Sequence, residues 1–222
     1  MIFTLDKDLL EILFLSLQIN VLALFLSSIL GFPFGAALAI LRFPARNIVI
    51  AVINALMALP PVVVGLLVYL YLSRSGPLGW LGLLYTPTAM IVAQVILVTP
   101  IIAALSCQII EDLHSNYKQY FSSLVLSPQK AIRAYLYDAR YSLITVILAG
   151  FGRAISEVGA VIIVGGNIDH LTRVMTTAIS LETSKGNLPL ALALGFVLLI
   201  IALSINFLAT FVKTSARNKS YV

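Results

Sequence analysis

Arg153 and Glu157 are the residues best placed to do more than pack, because they interrupt a long apolar stretch and stand four positions apart. That spacing sets both on one helix face, about 6 Å apart along the axis, within reach of each other. A charge inside such a segment is costly to bury and faces protein or water rather than lipid. Two readings follow: an ion pair that fixes helix packing, or a pair that lines a permeation path or gate. Other chemistry has no constellation to stand on. No Gly-x4-Gly-Lys-Ser/Thr phosphate loop occurs, so the chain cannot hydrolyse ATP by that route on its own. Its two histidines, His114 and His170, fall on opposite sides of the membrane that the charge pattern implies. The single Cys107 forms neither an intrachain disulfide nor a cysteine-based metal site and reads as a packing residue. Metalloprotease helices and nucleophile elbows are missing too. The expectation is a chain that is no enzyme and holds no metal or cofactor of its own.

The elements that must position the pair are membrane helices. Of 222 residues, 60% are hydrophobic and 10% charged, with a mean hydropathy of +1.05. A soluble domain carries about a quarter charged residues and could not hide so much apolar surface. No charged residue occurs in 12–41, 47–73, 75–110 or 186–212. Each run exceeds the roughly 20 residues needed to cross about 30 Å of hydrocarbon. The segment 141–164 adds a fifth span, the one holding Arg153 and Glu157. The expected fold is therefore all-α and polytopic: one transmembrane domain over 1–222, with helices near 10–41, 48–72, 88–110, 141–164 and 188–212. Basic residues split nine to four between alternate sides, Arg153 aside. Arg42, Arg46, Lys118, Lys130, Arg133, Arg140, Lys213, Arg217 and Lys219 mark the cytoplasmic side. The N-terminus is then outside and the C-terminus cytoplasmic, and the +5 net charge is a topology signal with no need of nucleic acid.

Three prolines bear on movement. Pro60 and Pro61, with Gly65 one turn later, interrupt the second span, and Pro100 lies inside the third. Lipid tolerates such breaks only where neighbouring protein or a wet cavity satisfies the freed carbonyls. These residues are simple kinks or part of a path. Gly31, Pro33 and Gly35 should bend the first helix. The segment 111–140 differs in kind, being long, polar and cytoplasmic. Tyr117, Tyr120, Phe121 and Leu124 recur at helical spacing, and Ser127 with Pro128 forms a helix-start signal leading into Lys130 and Arg133. Such a segment either lies on the membrane surface as a connector or offers an aromatic knob to a partner's groove.

Taken in order, these pieces resemble the membrane-spanning subunit of type I ABC importers, in the oxyanion group that moves molybdate, tungstate and sulfate. The resemblance rests on Leu59-Pro60-Pro61-Val62-Val63-Val64-Gly65-Leu66, Gly76-Pro77-Leu78-Gly79, Gly152-Arg153-Ala154-Ile155-Ser156-Glu157-Val158-Gly159-Ala160 and Gly165-Gly166-Asn167-Ile168. Thr86-Pro87-Thr88-Ala89-Met90 and Leu181-Glu182-Thr183-Ser184-Lys185-Gly186-Asn187 look most like the tungstate permeases. The resemblance implies a multi-pass protein of a prokaryotic cytoplasmic membrane. It would pair with a second copy of itself, two cytoplasmic ATPases holding ATP and Mg, and an external oxyanion-binding protein. Tyr117, Lys118, Tyr120, Phe121, Leu124, Ser127, Pro128, Lys130 and Arg133 would couple to the ATPases. Molybdate or sulfate transport is the alternative within the group, and an ATP-independent transporter or channel the alternative outside it.

Overall fold

Inside hydrocarbon each backbone N–H and C=O must be satisfied by the protein itself, and long apolar runs achieve this within one segment by folding as helices. The computed structural model describes residues 7–123 and 128–219. Among them are nine α-helices and a short 3-10 turn at Gly79–Leu81, with no strand. The helices are α1 Lys7–Ile40, α2 Arg46–Met57, α3 Pro61–Leu72, α4 Pro87–Ser123, α5 Pro128–Asp138, α6 Arg140–Ile155, α7 Gly159–Gly165, α8 Met175–Ser184 and α9 Leu188–Lys219. Leu9–Ile40, Pro87–Ser115 and Leu188–Phe211 are each long and apolar enough to cross a membrane, and the bent pairs α2–α3 and α6–α7 raise the total to as many as five.

Three expected helices differ in detail. The span expected at 48–72 is broken at 58–60, because Pro60 adopts extended backbone (φ −64°, ψ 121°) and Pro61 takes the first position of α3. A residue before proline is driven out of the helical region, and proline itself suits a helix start. The span expected at 141–164 breaks at 156–158, with a 56° bend between α6 and α7. The helix expected to stop near 110 runs on to Ser123. Charge begins at Glu111, yet no glycine or proline follows before 123, and charge alone does not end a helix.

The chain divides into two compact units. The first comprises the described parts of Met1–Leu24 with Leu59–Leu97 and Phe151–Ile205. Its core gathers Ile19, Val64, Val68, Met90, Leu97, Val161 and Val164. There α3 lies directly on α7: a Cβ on Gly65 would sit 2.7 Å from Ala160 Cα, and one on Gly159 would sit 2.9 Å from Val62 Cγ2. Lipid tails are as apolar as the helices, so close backbone approach is what holds such a pair together. Gly166 is left-handed (φ +70°), and a Cβ there would fall 2.7 Å from the Tyr85 ring.

The second unit comprises Phe25–Ala58, Val98–Gly150 and the described part of Asn206–Val222. Gly31 and Gly35 lie four apart on α1 and meet α4: a Cβ on Gly31 would be 2.8 Å from Ile102 Cγ2, and one on Gly35 would strike the Ala103 carbonyl and Ser106 Oγ. The glycines expected to bend α1 thus serve a small-xxx-small contact. Arg46 closes the turn after α1, its Nε donating to the Leu38 carbonyl at 2.7 Å while Nη2 pairs with Glu111. Further along, Tyr135 is buried against α4, its hydroxyl 2.8 Å from His114 Nδ1 and the two rings edge-on at 5.5 Å. Burial pushes the Tyr135 phenol above its ordinary value, so it stays a hydroxyl at neutral pH. Tyr135→Phe deletes that bond and is expected to destabilise the α4–α5 pairing by about 1 kcal/mol. Thermal unfolding of the purified protein measures it, and an unchanged midpoint would show that ring packing alone fixes α5.

Candidate functional site: a buried polar layer at a helix break

Glu157 sits in the gap between α6 and α7 and is only 4% exposed. Three contacts hold it. Its Oε2 lies 3.1 Å from Arg153 Nη1, its Oε1 accepts the Ala160 N–H at 3.0 Å, and its own carbonyl accepts the Thr176 hydroxyl at 3.0 Å. The first turn of any helix has amides without intrahelical partners, and here the carboxylate takes one of them. Locally the sequence favours a break, since Gly152 and Gly159 flank it and glycine is a poor helix residue. The Arg153 side chain is 28% exposed against 3% for Glu157. The pair is therefore lopsided, one end reaching the surface of the chain and the other sealed in protein.

Beside Glu157 runs a chain of neutral polar groups. Asn20 Nδ2 donates to the Ser16 carbonyl at 2.7 Å, and Gln94 Nε2 donates to Asn20 Oδ1 at 3.1 Å and to the Ala154 carbonyl at 3.3 Å. Ser16 Oγ donates to the Ile12 carbonyl and accepts the Met175 N–H, both at 2.7 Å. Ser16, Asn20, Gln94 and Glu157 are all buried and line a cavity of about 10 Å³. Helices α1, α4, α6 and α8 thus meet through hydrogen bonds at the point where α6 gives way to α7. Ser16, Asn20, Gln94 and Thr176 were not singled out in the sequence. A signal existed only for the first two, which stand four apart in an uncharged run and so share a face.

The expected site residues scatter differently. Pro60 and Pro61 start α3, with the Pro60 carbonyl accepting the N–H groups of Val63 at 3.1 Å and Val64 at 3.3 Å. Gly65 is a contact point with α7. Pro100 lies inside α4, which continues past it, and belongs to the second unit. Tyr117, Lys118, Tyr120 and Phe121 fall on the last turns of α4, and Pro128 opens α5, where Lys130 and Arg133 are exposed. Leu124 and Ser127 lie outside the described residues.

Two stretches singled out by resemblance have a local explanation. Thr86 precedes Pro87 at the start of α4, its hydroxyl donating to the Leu83 carbonyl at 2.5 Å. Glu182 accepts from Lys185 Nζ at 2.8 Å and Asn187 Nδ2 at 2.9 Å, closing the turn from α8 to α9 around Gly186 (φ +78°). Those two bonds hold the Glu182 carboxyl below its ordinary value. Both stretches act as helix-end devices. Among the described residues, no cluster of three or more His, Cys, Asp or Glu could hold a metal.

Comparison with known proteins agrees with this architecture. The family described as the binding-protein-dependent transport system inner membrane component matches residues 31–218. A probable anion ABC transporter permease of Haloferax volcanii is 42% identical over 199 residues, covering 87% of this chain and 85% of its own. The tungstate uptake system permease TupB of Peptoclostridium acidaminophilum is 40% identical over 201 residues, covering 90% and 88%. A sulfate transport permease, CysT of Escherichia coli, is 27% identical over 201 residues, covering 86% and 73%.

Proposed function

The chain belongs to the family of binding-protein-dependent transport system inner membrane components, and from that premise we propose that it is the membrane-spanning subunit of an ATP-driven importer for an oxyanion, tungstate in particular. What carries the substrate reading is the margin of identity by which tungstate and anion permeases exceed the sulfate permeases. Membership sets aside the free-standing channel and the membrane enzyme. A chain without a phosphate loop needs an ATPase partner, and membership implies one, together with a binding protein that delivers the anion.

In this reading two copies of the chain face two ATPases at the cytoplasmic side, where the nine basic residues lie. The segment from Tyr117 to Arg133 receives their movement and passes it to the spans as rigid-body rocking. The polar layer around Glu157 suits a closed gate better than a resting place for the anion. Its cavity of about 10 Å³ has room for roughly one water, far less than a tetrahedral oxyanion.

Co-purification from native membranes tests the importer: an ABC ATPase should come with the chain, and its absence would overturn the reading. Reconstituted with that ATPase and its binding protein, the complex should accumulate tungstate in preference to molybdate and sulfate when ATP is supplied. Equal uptake of sulfate would remove the substrate assignment and leave the importer standing. Replacing Phe121 and Leu124 together by aspartate should abolish substrate-stimulated ATP hydrolysis and uptake while the protein stays folded. Undiminished uptake in that variant would exclude the segment as the coupling element.

A further inference from the structure

One buried atom of the polar layer is left over. Gln94 is 3% exposed, and its Oε1 has no partner among the described residues. Rotating the amide cannot mend this. Asn20 must direct its Nδ2 at the Ser16 carbonyl, which leaves Oδ1 facing Gln94. Gln94 must then present its NH2 to both Asn20 Oδ1 and the Ala154 carbonyl, since two acceptors can be served only by donors. The orientation is fixed by this relay, and the oxygen is the end that remains. An unpaired buried acceptor carries a desolvation penalty that native proteins almost always relieve.

Gln94, Asn20 and Glu157 line the same cavity of about 10 Å³. We propose that this cavity is a hydration site holding one ordered water molecule, which donates one hydrogen to Gln94 Oε1 and the other to the Glu157 carboxylate. The volume is about that of a single water site, and two to four polar partners are what a buried water requires. Asn20 Nδ2 has a second hydrogen to give the water's oxygen, beyond the one it gives Ser16. A cation of the same size is the wrong ligand. Glu157 is already balanced by Arg153, so a cation would leave a net positive charge in an apolar interior. The water adds a link from α4 to Glu157 within the break, beside the direct bond from Gln94 Nε2 to the Ala154 carbonyl at the end of α6.

A structure of the full-length protein in lipid nanodiscs, at a resolution that shows ordered waters, tests the site. The expected result is a solvent peak about 2.7–3.0 Å from both Gln94 Oε1 and a Glu157 oxygen. Gln94→Leu should lose the peak; should that variant fail to fold, the native density decides alone. Gln94 Oε1 resting on a protein donor, or no peak, would overturn the proposal. So would a cation: the melting temperature is expected to stay the same when sodium chloride is replaced by potassium, ammonium or choline chloride. A rise specific to one cation would assign the site to that ion.

Discussion

Replacing Gly65 by leucine is expected to leave no folded transporter in the membrane. The Cβ it adds would lie 2.7 Å from Ala160 Cα and 3.2 Å from the Ala160 carbonyl oxygen. Backbone atoms cannot rotate aside as a side-chain tip can, so α7 must move bodily away from α3. Even Gly65→Ala should destabilise by about 1–3 kcal/mol, as overpacking of tight interiors does, and leucine by more. The same logic supplies its control. A Cβ on Gly195 meets nothing within 4 Å, and Gly195 lies within α9. Gly195→Ala should therefore be neutral or stabilise by up to about 1 kcal/mol, from helix propensity alone. Yield of monodisperse protein and its melting temperature read out both variants. Equal tolerance of Gly65→Ala and Gly195→Ala would mean that α3 and α7 do not touch as described.

Removing Arg153 should do more harm than neutralising Glu157, although the two form one pair. Arg153→Ala leaves a carboxylate buried at 4% exposure with its counter-charge gone, a change worth about 3–5 kcal/mol where it has been measured in proteins. Glu157→Gln keeps an oxygen that can accept the Ala160 N–H, and the arginine it frees is 28% exposed and so is less confined by protein than the carboxylate. Its cost should be about 1–2 kcal/mol, the scale of a lost charge-assisted hydrogen bond. The double variant Arg153→Ala, Glu157→Gln should recover part of what Arg153→Ala alone loses, since no uncompensated charge remains. Uptake separates packing from gating. A Glu157→Gln protein that is stable yet no longer transports would assign the pair to the gate, whereas transport falling only in step with stability would assign it to packing.

The charge pair of the candidate site and the helix break at Pro61 were legible in the sequence, and the reasons are local. Arg153 and Glu157 pair because a helix brings residues four apart together, whatever surrounds it. Pro61 begins α3 because a proline pair removes donors and restricts the residue before it. Where reading by residue type fell short, the missing information was a partner far away in the chain. Gly31 and Gly35 look like a bend beside Pro33, and only Ile102, Ala103 and Ser106 across the contact show that they are there for close approach. Gly65 reads from the sequence as a kink or part of a path, and only Ala160 across the contact shows that two backbones meet there. The end of α4 was misplaced for another reason: the onset of charge marks where lipid stops, not where hydrogen bonding along the helix stops.

The sequence by itself determined that this is an all-helical membrane protein with up to five spans, because the length of an uncharged run is a sum over neighbours and owes nothing to the fold. It also determined the charge pair, by helical spacing. Only the tertiary structure decided that Ser16, Asn20, Gln94 and Thr176 gather at the break beside Glu157. Asn20 and Gln94 are separated by 74 residues, and an amide in an apolar run gives no sign of which distant group will satisfy it. The cost of burying an unpaired polar group draws such residues together, but which of them meet is settled by how the helices pack.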